Sequence, residues 1–437
     1  MPDRHGRNGA TARGAPPALP WALAAGWLLL LSGWLIVEVM GGATLPHYPA
    51  YRDAAARVAE GAPLYGSAEA AQAGLRHEQA RLTGSGAPPD GPPPQPAYLY
   101  PPTLALVLGG SGLADTPWPQ VALVAASVAG VAVIAALMVG AAGASAWWVL
   151  LAVLSVDVAW QLTHGNAELP GLALAIAGCW LLHHRRPLAA APLLALAVLI
   201  KPLFGPLIGA FALMRLATAP DRGGEARRIA LAAALALALV ALEVLRWPAA
   251  VRADMADWLA NAIAFTPYAL ADPAPFDGWN RAPMQVLVTL GADPATAQAA
   301  ALALALLVLA LAIVALRRRG RGAPGFVPLL AAAYLVSLVA RPTTWTLPFL
   351  EIAVLLAAWP VLAPTARRLA LTAAIALAAS RWTATAITLA GGPPLMVTLQ
   401  TAALPFETVL VLPAATALTL RALHAPLHTR RKTPPAP

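Results

Sequence analysis

Charged side chains are scarce in this chain: they make up 11% of its 437 residues, whereas hydrophobic residues make up 59%. A water-soluble protein of this size would need more charge on its surface, so a soluble globular protein is excluded. Lysine is nearly missing and occurs only at Lys201 and Lys432. The net charge of +9 therefore comes from arginines in short clusters between apolar runs, which is typical of membrane loops and not of a nucleic-acid-binding face.

Cysteine occurs once, as Cys179 within an apolar run. This excludes an internal disulfide and favours a buried structural thiol. No spacing of histidines, cysteines and carboxylates is typical of a metal site, so we predict no metal and no cofactor. The short loops between apolar runs contain neither a Walker lysine loop nor a dinucleotide fingerprint, so a cytoplasmic nucleotide site is not expected.

Apolar runs of about twenty residues recur along the chain, as in a polytopic membrane protein. Twelve membrane-spanning helices are predicted, at 20–40, 119–141, 146–162, 168–183, 187–200, 202–215, 228–247, 295–316, 324–340, 345–363, 367–388 and 402–422. A shorter helix at 100–114 is predicted to enter the membrane and return on the same side. A crossing there would move the later basic clusters outside, against the positive-inside rule.

The predicted fold is therefore all-α, with one membrane domain at 20–422 and cytoplasmic tails at 1–19 and 423–437. Two large loops, at 41–99 and 248–294, are predicted to open on the outer side. Membrane lipids are expected partners, and nucleic acid is not.

The segments 187–200 and 202–215 are short for two crossings. We expect them to meet at Lys201 and Pro202 as a broken hairpin whose tip faces outward. Most ionisable residues near the predicted spans also fall toward the outer helix ends. Because charges inside a membrane are costly, their gathering at one depth predicts a shared polar cavity at the outer face.

The first outer loop has a helical pattern at its start. Tyr51, Ala55 and Val58 recur at helical spacing between polar residues, which predicts an amphipathic helix lying on the membrane surface. The helix is expected to stop at Gly61. The chain is then predicted to re-enter the membrane at Tyr100.

An ordered set of motifs resembles glycosyltransferase family 87, over about residues 20–420. The set comprises Tyr51, Ala55, Gly61 and Tyr65, then Tyr100-Pro101-Pro102, Gly165-Asn166, Lys201-Pro202, Pro342 and Trp345. Family members are integral-membrane mannosyltransferases related to the mycobacterial enzyme of phosphatidylinositol mannoside synthesis. The resemblance implies a C-type glycosyltransferase-like fold in the cytoplasmic membrane of a bacterium. It also implies transfer of a hexose, typically mannose, from a polyprenyl-phosphate donor to a lipid or glycan acceptor outside that membrane.

The resemblance also suggests which residues form the site. His47 occupies the position where the family normally has a catalytic aspartate, so His47, with Asp53 six residues later, is the predicted general base. Lys201 and Arg341 are the predicted ligands of the donor phosphate. The predicted substrate-binding residues are Tyr51, Tyr100, His164, Asn166, Glu168, Asn280 and Trp345.

Plainer interpretations stand beside these roles. Asp53 would be a solvated acid on a helix face, Asn166 a helix cap and Arg341 an interfacial anchor. For the whole chain the alternatives are a multispanning transporter or lipid flippase, and a catalytically inactive family member. Transporters often have broken helices in corresponding halves, whereas only the break at Lys201 stands out in this sequence.

Overall fold

The computed structural model describes residues 18–65, 100–142, 150, 153–154, 156–255, 284, 287–288, 290–318 and 325–340. Regular secondary structure in this part of the chain is helical throughout, which confirms the predicted helical class. The helices are α1 (Ala18–Met40), α2 (Tyr48–Glu60), α3 (Pro102–Ser111), α4 (Trp118–Ala142), α5 (Val156–His164), α6 (Glu168–His183), α7 (Pro187–Ile200), α8 (Gly205–Thr218), α9 (Arg222–Arg246), α10 (Ala249–Ala253), α11 (Pro294–Arg318) and α12 (Phe326–Ala340). The predicted spans 345–363, 367–388 and 402–422 lie outside the described residues.

Among the described helices, four are long and apolar enough to cross a membrane: α1, α4, α9 and α11. Leucines such as Leu29 on α1 and Leu237 on α9 remain exposed on the bundle. So much exposed apolar surface does not suit water, and it matches a surface in contact with lipid. The chain is thus an integral membrane protein, although these four helices do not by themselves establish the predicted number of twelve crossings.

Two helix starts differ most from those predicted. The segment predicted as a single span at 146–162 has Leu154 in a turn, and α5 begins only at Val156. Helix α9 begins six residues before the predicted start at 228, at Arg222. Its start is set by Asp221, whose side chain accepts a hydrogen bond of 2.9 Å from the amide of Gly224 as a helix cap.

The centre of the bundle is built around α6. This helix packs against α4 on one side and α7 on the other, while α7 also packs against α9 and α8 packs against α12. Ile176 and Cys179 on α6 are fully buried. The single cysteine is therefore a buried structural residue, as predicted.

The chain breaks and reverses at Lys201. Helix α7 ends at Ile200, Lys201 adopts an extended conformation, and Pro202 begins a short 3-10 turn before α8. A residue that precedes proline is disfavoured in helical geometry, which explains the break. At the far end of α8, Arg215 Nη1 lies 2.7 Å from His183 Nδ1 at the end of α6, so α8 runs back alongside α6. The predicted broken hairpin is therefore present.

Basic residues gather at one end of the bundle, which we call the basic end. It contains His183, Arg215 and Arg228, together with Arg317, whose Nε donates a 2.9 Å hydrogen bond to the carbonyl of Ala217. The opposite end, which we call the loop end, carries Lys201 and the first loop. This separation agrees with the common side predicted for the arginine clusters.

The first loop forms α2 and packs against α3. Helix α2 buries Tyr51 and Ala55 and ends at Gly61 in the left-handed conformation, both as predicted. Helix α3 approaches so closely that a Cβ on Gly109 would lie 2.8 Å from the carbonyl oxygen of Ala55, which only glycine avoids.

Both ends of the segment that contains α3 return to the first turn of α2. The ring of Tyr100, before α3, lies 5.1 Å from the ring of Tyr51. The hydroxyl of Tyr48 donates a 2.6 Å hydrogen bond to the carbonyl of Ala114, after α3. These two contacts tie the segment to the first turn of α2, while its course into and out of the membrane stays a prediction.

Candidate functional site

A shielded ion pair lies at the loop end, where the helix break meets the start of α6. Lys201 Nζ is 2.9 Å from Glu168 Oε2, and each side chain is 14% exposed. The same ammonium group lies 5.9 Å from the centre of the Tyr100 ring. The break leaves Lys201 between two helices, so its charge points into the bundle instead of along a helix surface. The ammonium group of Lys201 is therefore near both the carboxylate of Glu168 and the ring of Tyr100.

The turn before α6 positions Glu168. Asn166 is buried, and its Oδ1 accepts a 3.1 Å hydrogen bond from the amide of Glu168. Gly165 adopts a left-handed conformation with φ of 67°, and a Cβ there would lie 2.8 Å from Leu45 Cδ1. Gly165 and the Asn166 side chain thus hold the turn before α6 against the first loop. The oxygen of Asn166 bonds the backbone as the plainer interpretation expected, but the N-cap residue of α6 is Ala167, one residue later.

A buried amide on α5 also contacts Glu168. Gln161 is 2% exposed, and its Nε2 donates a 3.4 Å hydrogen bond to Glu168 Oε2, the oxygen that also contacts Lys201. Gln161 Oε1 is buried and has no hydrogen-bond partner within the described ranges. Two polar groups, Lys201 Nζ and Gln161 Nε2, therefore converge on one carboxylate oxygen of Glu168.

Two histidines meet beside this ion pair. The ring centres of His47 and His164 are 5.6 Å apart, and the amide of His47 donates a 3.0 Å hydrogen bond to the carbonyl of His164. Thr163 Oγ1 is 3.2 Å from His164 Nδ1. His47 immediately precedes α2, and His164 ends α5, four residues before α6 begins at Glu168. The histidine pair therefore joins the first loop to the turn that carries Glu168.

Aromatic residues of the first loop close the site on its other side. Tyr51 contacts Tyr100, and the hydroxyl of Tyr65 donates a 2.8 Å hydrogen bond to the carbonyl of Tyr100. Burial raises the pKa of the Tyr65 phenol, and the nearby Asp254 carboxylate raises that pKa further. Tyr65 therefore remains protonated and available as a donor across the physiological range.

The two loops predicted to be outer loops also touch each other here. The amide of Leu64 donates a 2.8 Å hydrogen bond to Asp254 Oδ2. Asp254 is the residue directly after α10. The first loop is thus anchored both to the bundle and to the start of the second loop.

A model of glycosyltransferase family 87 matches residues 98–342, which is more than half of the chain. The chain belongs to glycosyltransferase family 87. No curated protein and no solved structure matches it significantly. As a member of this family it is a membrane glycosyltransferase that takes a sugar donor and an acceptor. The matched range contains Tyr100, Glu168 and Lys201, whereas His47 and Tyr51 precede it.

Most of the site residues predicted for this family 87 member meet at the loop end. His47 lies against His164, and Tyr51, Tyr100, Lys201 and Glu168 follow one another in direct contact. Asn166 is part of the turn beneath Glu168. Arg341, Asn280 and Trp345 lie outside the described residues, so their roles stay predictions.

Asp53 is not brought into this cluster. The buried residues of α2 are Tyr48, Tyr51, Ala54 and Ala55, and helical spacing puts Asp53 on the opposite face. Its side chain is 34% exposed, and Asp53 Oδ1 lies 3.6 Å from Arg52 Nε. This placement fits the plainer interpretation of Asp53 as a solvated acid.

Sequence reasoning overlooked Gln161. The available signal was a lone amide within the apolar run that precedes Thr163 and His164, since a buried amide without a purpose is costly. Within the described ranges, no group of three or more histidine, cysteine or acidic residues is arranged to hold a metal ion.

Proposed function

We propose that this glycosyltransferase transfers a hexose, mannose in the first instance, from a polyprenyl-phosphate donor to a lipid or glycan acceptor. The reaction takes place at the outer face of the cytoplasmic membrane of a bacterium. The observation that carries the proposal is the cation of Lys201, shielded at a helix break beside Tyr100 and Glu168. A shielded cation suits a phosphate monoanion, and the family requires a sugar donor.

The donor phosphate binds Lys201 in this proposal. An ammonium group and a phosphate oxygen form a charge-assisted hydrogen bond, which is stronger where water is excluded. Arg341, at the outer end of its predicted span, is the second phosphate ligand. Its guanidinium would contact phosphate oxygens in a bidentate manner.

His47 accepts the proton of the acceptor hydroxyl. The neutral imidazole takes the proton as the acceptor oxygen forms its bond to the anomeric carbon of the sugar. The bond from that carbon to the phosphate oxygen breaks, and polyprenyl phosphate leaves with the electron pair. The backbone hydrogen bond from His47 to His164 supports this role, because it holds His47 at the site.

The orientation follows from charge. Because arginine clusters favour the cytoplasmic side, the basic end faces inward and the loop end faces outward. In this proposal the membrane domain spans 20–422, and the tails at 1–19 and 423–437 are cytoplasmic.

Reconstituted full-length protein tests the proposal. It is incubated in lipid vesicles with polyprenyl-phosphate-mannose, polyprenyl-phosphate-glucose and candidate lipid or glycan acceptors, and glycosylated product is measured. We expect product with at least one donor, and loss of at least a hundredfold in Lys201→Met. Arg246→Met is the matched control, since it removes an exposed cation from the loop-end terminus of α9. No donor consumption across the sugars would contradict the proposal, and donor lipid movement without transfer would indicate a flippase.

A further inference from the structure

The buried oxygen of Gln161 points to a missing hydrogen-bond donor. An unpaired buried carbonyl costs roughly 1–3 kcal/mol, so such groups normally have a partner. Gln161 Nε2 is engaged by the Glu168 carboxylate, which determines the orientation of the amide and leaves Oε1 as the acceptor. If the amide of Gln161 were rotated so that its nitrogen and oxygen changed places, the oxygen would face the carboxylate and be repelled. The group that completes this site must therefore donate a hydrogen.

Lys201 holds Glu168 against the Gln161 side chain. Lys201 Nζ and Gln161 Nε2 both contact Glu168 Oε2, at 2.9 and 3.4 Å. The carboxylate thus lies between the cation and the amide. Any anion that replaces Glu168 on Lys201 loosens the contact between Glu168 and Gln161.

We infer that Gln161 and Glu168 form a hydroxyl-binding subsite for the donor sugar, closed by the Lys201–Glu168 ion pair and opened when the donor phosphate replaces Glu168 on Lys201. This inference rests on the proposed function, because it takes Lys201 as the phosphate ligand. It adds Gln161 as a binding residue. It also means that Lys201 and Glu168 neutralise each other before the donor binds.

The exchange follows from repulsion between anions. Arg341 is a second cation for the phosphate, yet two anions in contact with the one ammonium group of Lys201 repel each other. The phosphate therefore displaces the carboxylate. The freed Glu168 carboxylate and the Gln161 carbonyl are both acceptors, so they accept from two hydroxyl groups of one sugar ring. The subsite thus favours a hexose with neighbouring free hydroxyls, held next to its own phosphate.

Binding of two related lipids tests the inference. The full-length protein in nanodiscs is titrated with polyprenyl phosphate, which has no sugar, and with polyprenyl-phosphate-mannose. Gln161→Leu should weaken binding of the mannosylated lipid by about tenfold, the value of one hydrogen bond, and leave binding of polyprenyl phosphate unchanged. Glu168→Gln should strengthen binding of polyprenyl phosphate several-fold, because the competing anion is gone. Glu243→Gln, which changes a partly exposed acid on α9, is the matched control and should change neither value.

Deoxy donors supply a second measurement that uses the wild-type protein as its reference. One mono-deoxy form of the mannosyl donor should bind about tenfold more weakly to the wild type, yet lose nothing further in Gln161→Leu. This non-additivity identifies the hydroxyl that contacts Gln161. Additive losses for every deoxy donor would overturn the inference, as would equal weakening of both lipids in Gln161→Leu.

The inference and the proposed function fail in different ways. If wild-type protein binds neither lipid, the polyprenyl-phosphate donor is wrong, and the inference falls with it. If wild-type protein binds and transfers but Glu168→Gln binds polyprenyl phosphate no tighter, the function stands and the exchange on Lys201 is wrong.

Discussion

The amide of His47 donates a 3.0 Å hydrogen bond to the carbonyl of His164, and this bond joins the start of the first-loop helix to the last residue of α5. It brings a residue far upstream next to the turn that carries Glu168. The proposed phosphate ligand Lys201 and the proposed base therefore come from separate elements at one end of the bundle. The same bond makes His47 the most informative position to change.

His47→Phe should lower kcat by about 100- to 10,000-fold, as expected for removal of a general base, with a smaller change in KM. His47→Asp restores the acid usual in the family and should retain activity. A base must be deprotonated to act, and carboxylates lose their proton at lower pH than imidazole does. The acid limb of the kcat/KM profile should therefore move to lower pH in His47→Asp.

His184→Phe is the matched control, because it removes a histidine at the basic end. It should leave the pH profile unchanged. An unaltered acid limb in an active His47→Asp variant would assign the base to another residue.

Asp53→Asn should keep activity within about threefold of the wild type, as is usual for surface changes away from a site. The reason is its placement on the exposed face of α2, beside Arg52 and opposite Tyr51. Initial rates at saturating donor measure the effect. A fall of a hundredfold or more would move the catalytic role from His47 to Asp53.

The helical class, the break at Lys201 and the end of α2 at Gly61 were predictable because each depends on local backbone chemistry. Apolar runs, a proline and a glycine act within a few residues of themselves. The exposed position of Asp53 also follows from helical spacing once Tyr51 is taken as buried. The role of Gln161 was not predictable, because it depends on a contact between α5 and α6 that brings an amide to a carboxylate seven residues away. Leu154 interrupts an apolar run without any glycine or proline beside it, so hydropathy alone could not place the start of α5.

Gly165→Ala should destabilise the protein by about 1–3 kcal/mol. Alanine is strained at a positive φ, and its Cβ would lie 2.8 Å from Leu45. Gly26→Ala is the matched control, since Gly26 lies within α1 with no heavy atom within 4 Å of the added Cβ, and alanine favours helices. Thermal unfolding in detergent measures both. Adding Leu45→Ala should recover little of the loss, because the Cβ of residue 45 would itself lie 2.9 Å from the added Cβ. Equal stability of the two alanine variants would show that the turn adapts freely.

A substitution at the basic end should lower stability without changing substrate binding. Glu225 is buried between Arg215 and Arg228, and it contacts both guanidinium groups. Glu225→Gln leaves the buried Arg215 without its counter-charge, which costs on the order of 3–5 kcal/mol. Glu243→Gln breaks only the exposed pair with Arg246, 3.8 Å apart, and should cost less than about 1 kcal/mol. Because Glu225 lies at the opposite end of the bundle from Lys201, KM for the donor should stay unchanged in the folded fraction of Glu225→Gln. A raised KM with unaltered thermal stability would instead mean that the two ends of the bundle are coupled.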